Sequence, residues 1–382
     1  MLLSVIIVSY EVKYFLEQCL LSVKAAIRTL EQKQGEGQVE VIVVDNASKD
    51  GTINFLGERF SFVKFVCNKE NIGYARANNL GLHQTEGRYV LFLNPDTIIP
   101  EDIFTNCISF FQSYPSAGAA GLRMVDGSGK FLVESKRGFP TAWRSFCKLS
   151  GLSSLSPSSQ TFAGYNLGHL NESGVFPIEA IAGAFMMVRR EVLEKTGGFD
   201  ERFFMYAEDI DLSKRIVEAG YENYYLGDCT ILHFKGESTP RNKLYVKRFY
   251  EAMKLYVQKH YKGFGSGLTV GLMRIAISFR SLIANAGVET SAKETQLDSV
   301  HFKGDEETIW SLKGKLDGIV ENEAAETWVL CEGRKFNFAN LIESIQQLPE
   351  SKQAMIHASG SHSIVGSFDK NKRGNAITFE FA

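Results

Sequence analysis

Short apolar runs alternate with longer amphipathic stretches in the N-terminal part of the chain. The apolar runs are rich in Val, Ile and Phe and predict strands at residues 3–8, 39–44, 62–66 and 89–93. The amphipathic stretches predict helices at residues 12–30, 52–59 and 74–84. Alternation at this spacing is typical of an α/β fold with a doubly wound parallel sheet. Because polar residues after the carboxyl ends of such strands line the ligand crevice, we expect a binding site there.

The pattern weakens between residues 121 and 177, where Gly, Ser and Pro cluster. We interpret this region as a long, partly mobile loop of the kind that often covers a site. Order returns at residues 178–189, and a helix is predicted to begin near Glu208. A last strand, predicted at residues 224–226 and 230–232, leads directly to His233.

A basic segment follows the predicted crevice domain, which we place at residues 1–240. Residues 235–280 contain ten Lys and Arg residues against two Glu residues. Residues 241–288 predict two helices, and the second carries Arg274 and Arg280. Each Arg would cost about 2.5–3.5 kcal/mol at a bilayer centre, which excludes a spanning helix. A helix lying in the membrane interface and a core helix packed on the next domain both stay open.

The C-terminal part of the chain predicts a small separate module. A charged stretch with few apolar residues, 289–305, predicts a linker to an acidic α/β module at residues 306–382. Apolar runs at 327–331, 354–357 and 376–381 predict its strands. A helix is predicted at residues 338–348, capped by Asn337. No catalytic pattern stands out in this module, and formation of a homodimer or docking of another enzyme both stay open.

The composition excludes two broad classes of protein. With 382 residues, 44% of them hydrophobic, the chain can bury a full core, which excludes disorder as its main state. The 42 Lys and Arg residues are balanced by 44 Asp and Glu residues, a total that does not indicate nucleic-acid binding. Six cysteines without a CxxC pair predict free thiols, so we expect a cytoplasmic protein. The apolar N-terminus lacks the basic region of a signal peptide and favours a buried strand.

Polar clusters lie where the predicted sheet opens its crevice, around Asp45, residues 71–76 and Asp96. Taken singly, each cluster has an ordinary explanation as a turn or a helix cap. Asp209 and His233 equally fit a first-turn carboxylate and a strand-end histidine. Because the clusters share one position at the predicted crevice, a functional site is favoured over a set of unrelated turns and caps. Asp96 and His233 suit Mn²⁺ or Mg²⁺, with a bound diphosphate completing the coordination shell.

Seven short motifs follow one another in order along the chain. They are Val8-Ser-Tyr10, Val43-Val-Asp-Asn-Ala-Ser48, Asn71-Ile-Gly-Tyr-Ala-Arg-Ala-Asn-Asn79, Leu93-Asn-Pro-Asp96, Ala182-Gly-Ala-Phe185, Gly198-Phe-Asp-Glu-Arg-Phe-Phe-Met-Tyr-Ala-Glu-Asp209 and His233. With these motifs, residues 1–260 resemble the family 2 glycosyltransferases, and more narrowly their rhamnosyltransferase-like branch. The resemblance implies a GT-A fold, in which an α/β layer that binds a nucleotide is fused to an acceptor-binding half.

The resemblance implies a pocket for a nucleotide-sugar donor. Ser9 and Tyr10 would form part of the wall around the nucleotide, and Asp45 would accept hydrogen bonds from the base or the ribose. Arg76 would approach the base or the diphosphate, because a guanidinium suits phosphate oxygens.

The same resemblance implies a divalent cation, Mn²⁺ or Mg²⁺. Asp96 matches the last Asp of the family's metal-binding DxD motif, and His233 matches a second ligand. The first position of that motif is Asn94, which is a weaker metal ligand but is common in the branch that the chain resembles. Asn94 therefore stays within the expected donor site.

The catalytic residues implied by the resemblance are Glu208 and Asp209, with Asp209 as the general base. Gly183 and Ala184 would form a tight wall beside the transferred sugar. A single carboxylate base with no second carboxylate nucleophile implies one displacement and inversion at the anomeric carbon. Asp211 is the nearest alternative nucleophile, but two helical residues turn it ~200° away from Asp209. We expect Asp211 to face solvent or to cap its helix.

Together these inferences predict an inverting glycosyltransferase that uses a nucleotide-diphosphate sugar, with dTDP-rhamnose suggested by the branch. The expected acceptor is a hydroxyl of a cell-surface polysaccharide or a lipid-linked glycan. The cationic residues 241–288 suggest peripheral contact with the inner face of an anionic membrane. A non-catalytic nucleotide-sugar-binding scaffold is the alternative, favoured by Asn94 and opposed by the Glu208–Asp209 pair. A sugar nucleotidyltransferase is disfavoured, because no Gly-rich basic loop follows the first strand.

Overall fold

The structure is a computed structural model. It describes residues 1–237, 243–261, 299–316, 319–367 and 374–379. Within these ranges the chain forms a nine-stranded sheet and a six-stranded sheet, with helices packed on both. The larger sheet is built from residues 1–237 and the smaller one from residues beyond 298. The predicted α/β class is confirmed.

The first half of the larger sheet is the doubly wound part of the fold. Its elements are β1 (Leu3–Ser9), α1 (Lys13–Gln34), β2 (Val39–Asp45), α2 (Thr52–Leu56), β3 (Val63–Cys67), α3 (Tyr74–Leu82) and β4 (Tyr89–Leu93). Strands β3, β2, β1 and β4 run parallel in that order, and Ser9 lies level with Asp45. The carboxyl ends of these strands therefore meet at one edge, as the apolar pattern predicts.

Further strands extend the sheet beyond β4 and bring distant segments to the same edge. The elements are β5 (Thr97–Ile98), α4 (Ile103–Ser113), β6 (Ala117–Val125), α5 (Ala142–Ser150), α6 (Leu152–Leu155), β7 (Val175–Ile178), β8 (Phe185–Arg189), α7 (Arg190–Thr196), α8 (Glu208–Glu218) and β9 (Glu222–His233). The strand order is β3-β2-β1-β4-β8-β6-β9-β5, and β7 pairs with β9. Thr97 pairs with His233, which places the end of β9 beside the turn after β4.

The expectation of a long loop at residues 121–177 is wrong in its secondary structure. The region completes β6 and contains α5, α6 and most of β7. Thr141 caps α5 by accepting a hydrogen bond from the backbone N–H of Arg144, and Gly151 follows the helix with a φ of 83°. Both helices are short and expose several apolar side chains, so the burial pattern in the sequence is weak there.

Apolar layers cover both faces of the larger sheet. Along β1, Val5 and Ile7 face the layer that contains α1 and α4, whereas Ile6 faces the layer that contains α3, α7 and α8. All three side chains are fully buried. Burial on both faces explains why the parallel strands are continuous apolar runs rather than alternating ones.

The first helix of the basic segment, α9 (Lys243–His260), packs against the larger domain beside α8. Ala252 and Tyr256 are buried in one cluster with Phe203 and Ile210. This helix is predicted correctly, and the second predicted helix lies outside the described residues. Among the helices of the described ranges, none is long and apolar enough to cross a membrane.

The C-terminal module is a six-stranded sheet in the order β11-β10-β12-β13-β14-β15. Its elements are β10 (Ser299–Gly304), α10 (Glu306–Lys313), β11 (Val320–Glu321), β12 (Thr327–Cys331), α11 (Phe338–Gln346), β13 (Gln353–His357), β14 (Ser363–Gly366) and β15 (Asn375–Thr378). The predicted linker 289–305 is wrong at its end, because Val300 and Phe302 are buried in the alternating pattern of a strand. The predicted cap at Asn337 is confirmed by its hydrogen bond from the Asn340 N–H.

The C-terminal module shares a core with the larger domain. Phe15 and Phe234 of the larger domain lie in one apolar cluster with Phe338 of the module, and the Phe15 and Phe234 rings are 5.1 Å apart. Gln18 on α1 donates a hydrogen bond of 3.0 Å to the carbonyl of Ser363. The module is therefore packed on the same side of the sheet as α1.

Candidate active site

A cavity of about 300 Å³ opens at the carboxyl edge of β1 and β4. Of the eleven predicted site residues, the eight that line it are Tyr10, Asn94, Asp96, Gly183, Ala184, Glu208, Asp209 and His233. Phe249 and Met253 of α9 complete one side of the cavity. The structure therefore brings most of the predicted site together from strand ends, a turn and the start of α8.

Ser9 and Asp45 lie beneath the cavity wall rather than on it. They are paired at the ends of β1 and β2, and both are buried. Asp45 Oδ2 accepts a 2.9 Å hydrogen bond from the backbone N–H of Ser48, which closes the loop after β2. Among the described residues, Asp45 Oδ1 and Ser9 Oγ are buried without a partner. Their contact with a nucleotide stays a prediction.

Arg76 does not line the cavity. Its side chain is 59% exposed and lies 3.8 Å from the carboxylate of Glu201. Two residues earlier on α3, the Tyr74 hydroxyl lies 3.2 Å from Asn94 Oδ1 and 3.0 Å from the carbonyl oxygen of Gly183. Because two helical residues differ by ~200° in direction, Tyr74 faces the cavity and Arg76 faces solvent.

Asp96 and His233 meet at the floor of the cavity. Asp96 Oδ1 lies 3.4 Å from His233 Nε2, and Asn94 Nδ2 lies 3.4 Å from the same nitrogen. His233 Nδ1 is buried with no partner among the described residues, and the same ranges hold no group of three or more His, Cys, Asp or Glu side chains placed to bind a metal. One carboxylate and one imidazole fit a divalent cation that takes its remaining ligands from phosphate oxygens and water.

An ion pair between Glu134 and Lys235 adjoins this floor, and both residues line the cavity. Burial acts to raise the pKa of Glu134, but the Lys235 ammonium outweighs it and holds that pKa at about 2. Glu134 therefore stays ionised and keeps Lys235 in place. The sequence motifs did not single out either residue.

Asp209 is held by three donors at the start of α8, and its Oδ1 accepts a 2.8 Å hydrogen bond from the backbone N–H of Ile210. Its Oδ2 accepts hydrogen bonds of 2.6 Å from Arg137 Nη2 and 2.9 Å from the backbone N–H of Gly183. Tyr206 and Ala207, the two residues before α8, have positive φ values of 72° and 64°, and this bend turns the helix start into the cavity. These bonds fix the orientation of the carboxylate in the cavity wall.

Arg137 is the main residue that the sequence interpretation missed. It also donates to the carbonyl of Ile181, and it lies in the region that was expected to be a loop. Burial opposes its charge, but the Asp209 carboxylate outweighs burial and raises the pKa of Arg137. No periodicity marks this position, because Arg137 meets Asp209 across 72 residues of sequence.

Glu208 is buried in the cavity wall beside Asp209. Burial raises the pKa of Glu208 to about 8, and repulsion from the Asp209 carboxylate adds to the shift. Among the described residues, Glu208 Oε2 has no hydrogen-bond partner. At neutral pH Glu208 is therefore mainly protonated.

The raised pKa of Glu208 predicts a pH-dependent stability. Its folded value of about 8 lies above the ordinary value of 4.5, so the folded state binds the proton more tightly. This stabilisation is complete below about pH 4.5 and is lost as the pH rises through 8, at up to about 1.4 kcal/mol per pH unit. In Glu208→Gln, urea denaturation at several pH values should show a flatter decline between about pH 5 and pH 8. Glu218→Gln, exposed on the same helix, should leave the slope unchanged, and an unchanged slope in Glu208→Gln would disprove the assignment.

The expectation that Asp211 faces solvent or caps its helix is wrong, because α9 covers it completely. Asp211 Oδ1 lies 2.6 Å from Lys259 Nζ and 2.7 Å from His260 Nε2, and Oδ2 accepts a 2.9 Å hydrogen bond from Arg215. Burial acts to raise the pKa of Asp211, but His260 and Lys259 outweigh it and lower that pKa. Asp211 therefore ties α8 to α9 and is not placed to act as a nucleophile.

Comparisons with known proteins show the family of the chain. Residues 4–197 match the model of glycosyl transferase family 2, and residues 172–244 match a family described as the N-terminal domain of galactosyltransferase. The N-acetylglucosaminyl-diphospho-decaprenol L-rhamnosyltransferase of Mycobacterium tuberculosis is 30% identical over 251 residues, which is 63% of this chain and 78% of that protein. Rhamnosyltransferase WbbL of Escherichia coli is 27% identical over 42% of this chain and 61% of its own length.

Solved structures give a weaker likeness. The mannosyltransferase PcManGT from Pyrobaculum calidifontis, in complex with GDP-Man and Mn²⁺, has a TM-score of 0.48 and 19% identity over 76% of each chain. TarS 1-349 of S. aureus, in complex with UDP-GlcNAc, has a TM-score of 0.47 and 19% identity over 73% of each chain.

The fold and the site define a glycosyltransferase. Because the family model spans half of the chain, at residues 4–197, and the mycobacterial relative is matched over 78% of its length, the chain belongs to glycosyl transferase family 2. The predictions of this family, of the GT-A fold and of an enzyme that transfers glycosyl groups are confirmed.

Proposed function

We propose that the protein inverts the anomeric centre of a nucleotide-diphosphate sugar while transferring it to a hydroxyl of a lipid-linked glycan or cell-surface polysaccharide. The observation that carries this proposal is the Asp209 carboxylate, held between Arg137 and Gly183 in the cavity that also contains Asp96 and His233. An acceptor hydroxyl is a poor nucleophile until a base takes its proton. A positioned carboxylate supplies this function and contributes about 10²–10⁴-fold.

Inversion is supported by the surroundings of three neighbouring carboxyl groups, those of Glu208, Asp209 and Asp211. A retaining double displacement needs a second ionised carboxylate beside the sugar. Glu208 is protonated at neutral pH, and Asp211 is occupied by Lys259 and other cations outside the cavity. Asp209 is then the single base, and the nucleoside diphosphate leaves in the same step that forms the new glycosidic bond.

Asp96 and His233 are the residues that would hold Mn²⁺ or Mg²⁺. A bound divalent cation would offset the negative charge that develops on the diphosphate leaving group. Asn94 orients the pocket through its contacts with Tyr74 and His233, and the Lys235 ammonium lies on the same side. We assign the diphosphate to this floor, where a bound cation and Lys235 would offset its charge, and the acceptor hydroxyl to Asp209.

The donor and the acceptor are inferred from the relatives. Relatives with 30% and 27% identity are named rhamnosyltransferases, which supports dTDP-rhamnose as the donor. The mycobacterial relative acts on a glycan carried by a polyprenyl diphosphate, which supports a lipid-linked acceptor. Such an acceptor lies in a membrane, so we include peripheral contact with the inner face of an anionic membrane in the proposal.

Donor hydrolysis or transfer with a panel of UDP-, dTDP- and GDP-sugars tests the proposal directly. We expect turnover of dTDP-rhamnose that requires Mn²⁺ or Mg²⁺ and is lost in Asp96→Ala. Asp102→Asn, at the start of α4 and away from the cavity, is the control and should keep full activity. The product should carry the anomeric configuration opposite to that of the donor. Turnover of another donor alone would disprove the rhamnose assignment, and binding without turnover of any donor would disprove catalysis.

A further inference from the structure

The segment from α5 to Phe162 exposes a cluster of large apolar side chains. Trp143, Phe146 and Leu155 are 48%, 53% and 82% exposed, and Phe162 is 38% exposed. The Trp143 ring lies 5.9 Å from the Phe146 ring and 6.1 Å from the Phe162 ring. Single exposed apolar residues are common, but a contiguous group of this kind marks an interaction surface. We call these four residues the aromatic patch.

The aromatic patch lies on a segment whose two ends line the active-site cavity. The chain leaves the cavity wall at Arg137 and returns to it at Tyr165, and both residues line the cavity. The backbone N–H of Gly138 donates a 2.8 Å hydrogen bond to the carbonyl of Tyr165, which closes the base of this excursion. The patch is therefore carried by a segment whose two ends are fixed beside the catalytic Asp209.

The segment that carries the aromatic patch contributes one exposed cation, Lys148 on α5. Its other cations are buried or paired: Lys136 is buried, and Arg137 and Arg144 form ion pairs with Asp209 and Glu179. Between Lys136 and Asn171 the sequence contains four Lys and Arg residues and no Asp or Glu, although the whole chain carries a net charge of −2. Helix α9 adjoins the base of the segment, since the Tyr261 hydroxyl donates a 2.9 Å hydrogen bond to the carbonyl of Pro140. Residues 243–260 add five Lys and Arg residues against one Glu.

We propose that the aromatic patch inserts into the interface of an anionic lipid bilayer and presents the cavity entrance to acceptors held there. Exposed Trp, Phe and Leu beside Lys and Arg are the two components of interfacial binding, namely burial of apolar surface and attraction to anionic headgroups. Phe146 and Leu155 carry no hydrogen-bonding group, which favours lipid over a sugar ring as the partner. The indole N–H of Trp143 donates to the carbonyl of Thr161, so the ring can enter an apolar layer without an unpaired donor.

This inference deepens the proposed function and rests on its lipid-linked acceptor. It adds a membrane contact at α5 and α6 to the one expected at residues 241–288.

Vesicle cosedimentation with the full-length protein tests the aromatic patch. We expect binding to vesicles of phosphatidylglycerol and phosphatidylcholine, and a fall of about tenfold or more in the partition coefficient for the triple variant Trp143→Ser, Phe146→Ser and Leu155→Ser. Trp310→Ser is the matched control, because Trp310 is 81% exposed on α10 of the C-terminal module. It should bind as the wild type does. Equal binding of the triple variant and the wild type would overturn the proposal, as would equal binding to vesicles without anionic lipid.

Tryptophan fluorescence provides a second measurement that does not depend on the folding of the triple variant. The chain has three Trp residues, so Trp310→Phe combined with Trp328→Phe leaves Trp143 as the only reporter. Its emission should shift to the blue on addition of the anionic vesicles and be quenched by brominated lipids. An unshifted emission would overturn the proposal. A triple variant that only dissociates an oligomer in sedimentation velocity would also overturn it, and would identify the patch as a contact between copies of the chain.

These experiments separate the two proposals. Donor hydrolysis in the absence of vesicles should be the same in the triple variant and the wild type, because none of the substituted residues lines the cavity. Vesicle binding without turnover of any donor contradicts the proposed function alone. Turnover without patch-dependent vesicle binding contradicts the membrane inference alone.

Discussion

Replacing Asp209 by Asn should lower kcat for glycosyl transfer by about 10²–10⁴-fold, because an amide cannot accept the proton of the acceptor hydroxyl. The substitution keeps the size of the side chain, and its amide oxygen can still accept from Arg137 and Gly183. Donor KM and the binding of the nucleoside diphosphate should change little. Initial rates with the active donor, measured on protein shown to be folded by circular dichroism, check this expectation.

The control for Asp209→Asn is Asp102→Asn, which makes the same chemical change away from the cavity. Asp102 is exposed at the start of α4, and its side chain accepts a hydrogen bond from the Asn106 side chain but makes no cap bond to the helix backbone. It should retain the wild-type kcat. If Asp209→Asn instead kept kcat within about threefold, or lost activity only through donor KM, Asp209 would not be the base.

Replacing Asp211 by Ala should lower the free energy of unfolding by about 3–5 kcal/mol, because it leaves buried cations without their shared partner. Asp211 is fully buried and contacts Arg215, Lys259 and His260. In this variant Lys259 keeps its contact with a second carboxylate, Asp200, at 2.7 Å. The lost contacts that matter most are therefore those of Arg215 and His260 with Asp211. Denaturant unfolding followed by fluorescence measures the change.

An exposed ion pair on the same helix gives the comparison for Asp211→Ala. Lys214 and Glu218 are 3.8 Å apart in an i,i+4 pair, and Glu218 is more than half exposed. Glu218→Ala should change the free energy of unfolding by only about 0.3–0.5 kcal/mol, since water screens such pairs. Similar small losses in both variants would show that the contacts of Asp211 do not hold α8 against α9.

Local signals in the sequence were sufficient for the strands and for the residues at their ends. The apolar runs of β1, β2 and β4 are continuous because helices cover both faces of the sheet, so their positions followed from hydrophobicity alone. Asp96 then had to lie at the carboxyl edge. The cap at Asn337 was equally predictable, because a helix cap involves neighbours within one turn.

The contacts that complete the site join segments that are far apart in sequence. Arg137 reaches Asp209 only because β6 and the segment after it bring the two together, and no local pattern encodes that meeting. The motif resemblance implied that Arg76 contacts the donor. On helix α3, however, Tyr74 faces the cavity and Arg76 is exposed to solvent.

The sequence therefore established the α/β alternation, the strand-end carboxylates and the family motifs, since each depends on residues close together along the chain. Tertiary packing decided the partners and the charge states. Asp211 could be expected at the surface from its position on α8, and it is buried only because α9 supplies Lys259 and His260 over it. Glu208 and Asp209 are adjacent in sequence, yet burial raises the pKa of Glu208 whereas Arg137 binds the carboxylate of Asp209. Burial and long-range charge pairs are properties of the folded chain, so the sequence pattern alone does not contain them.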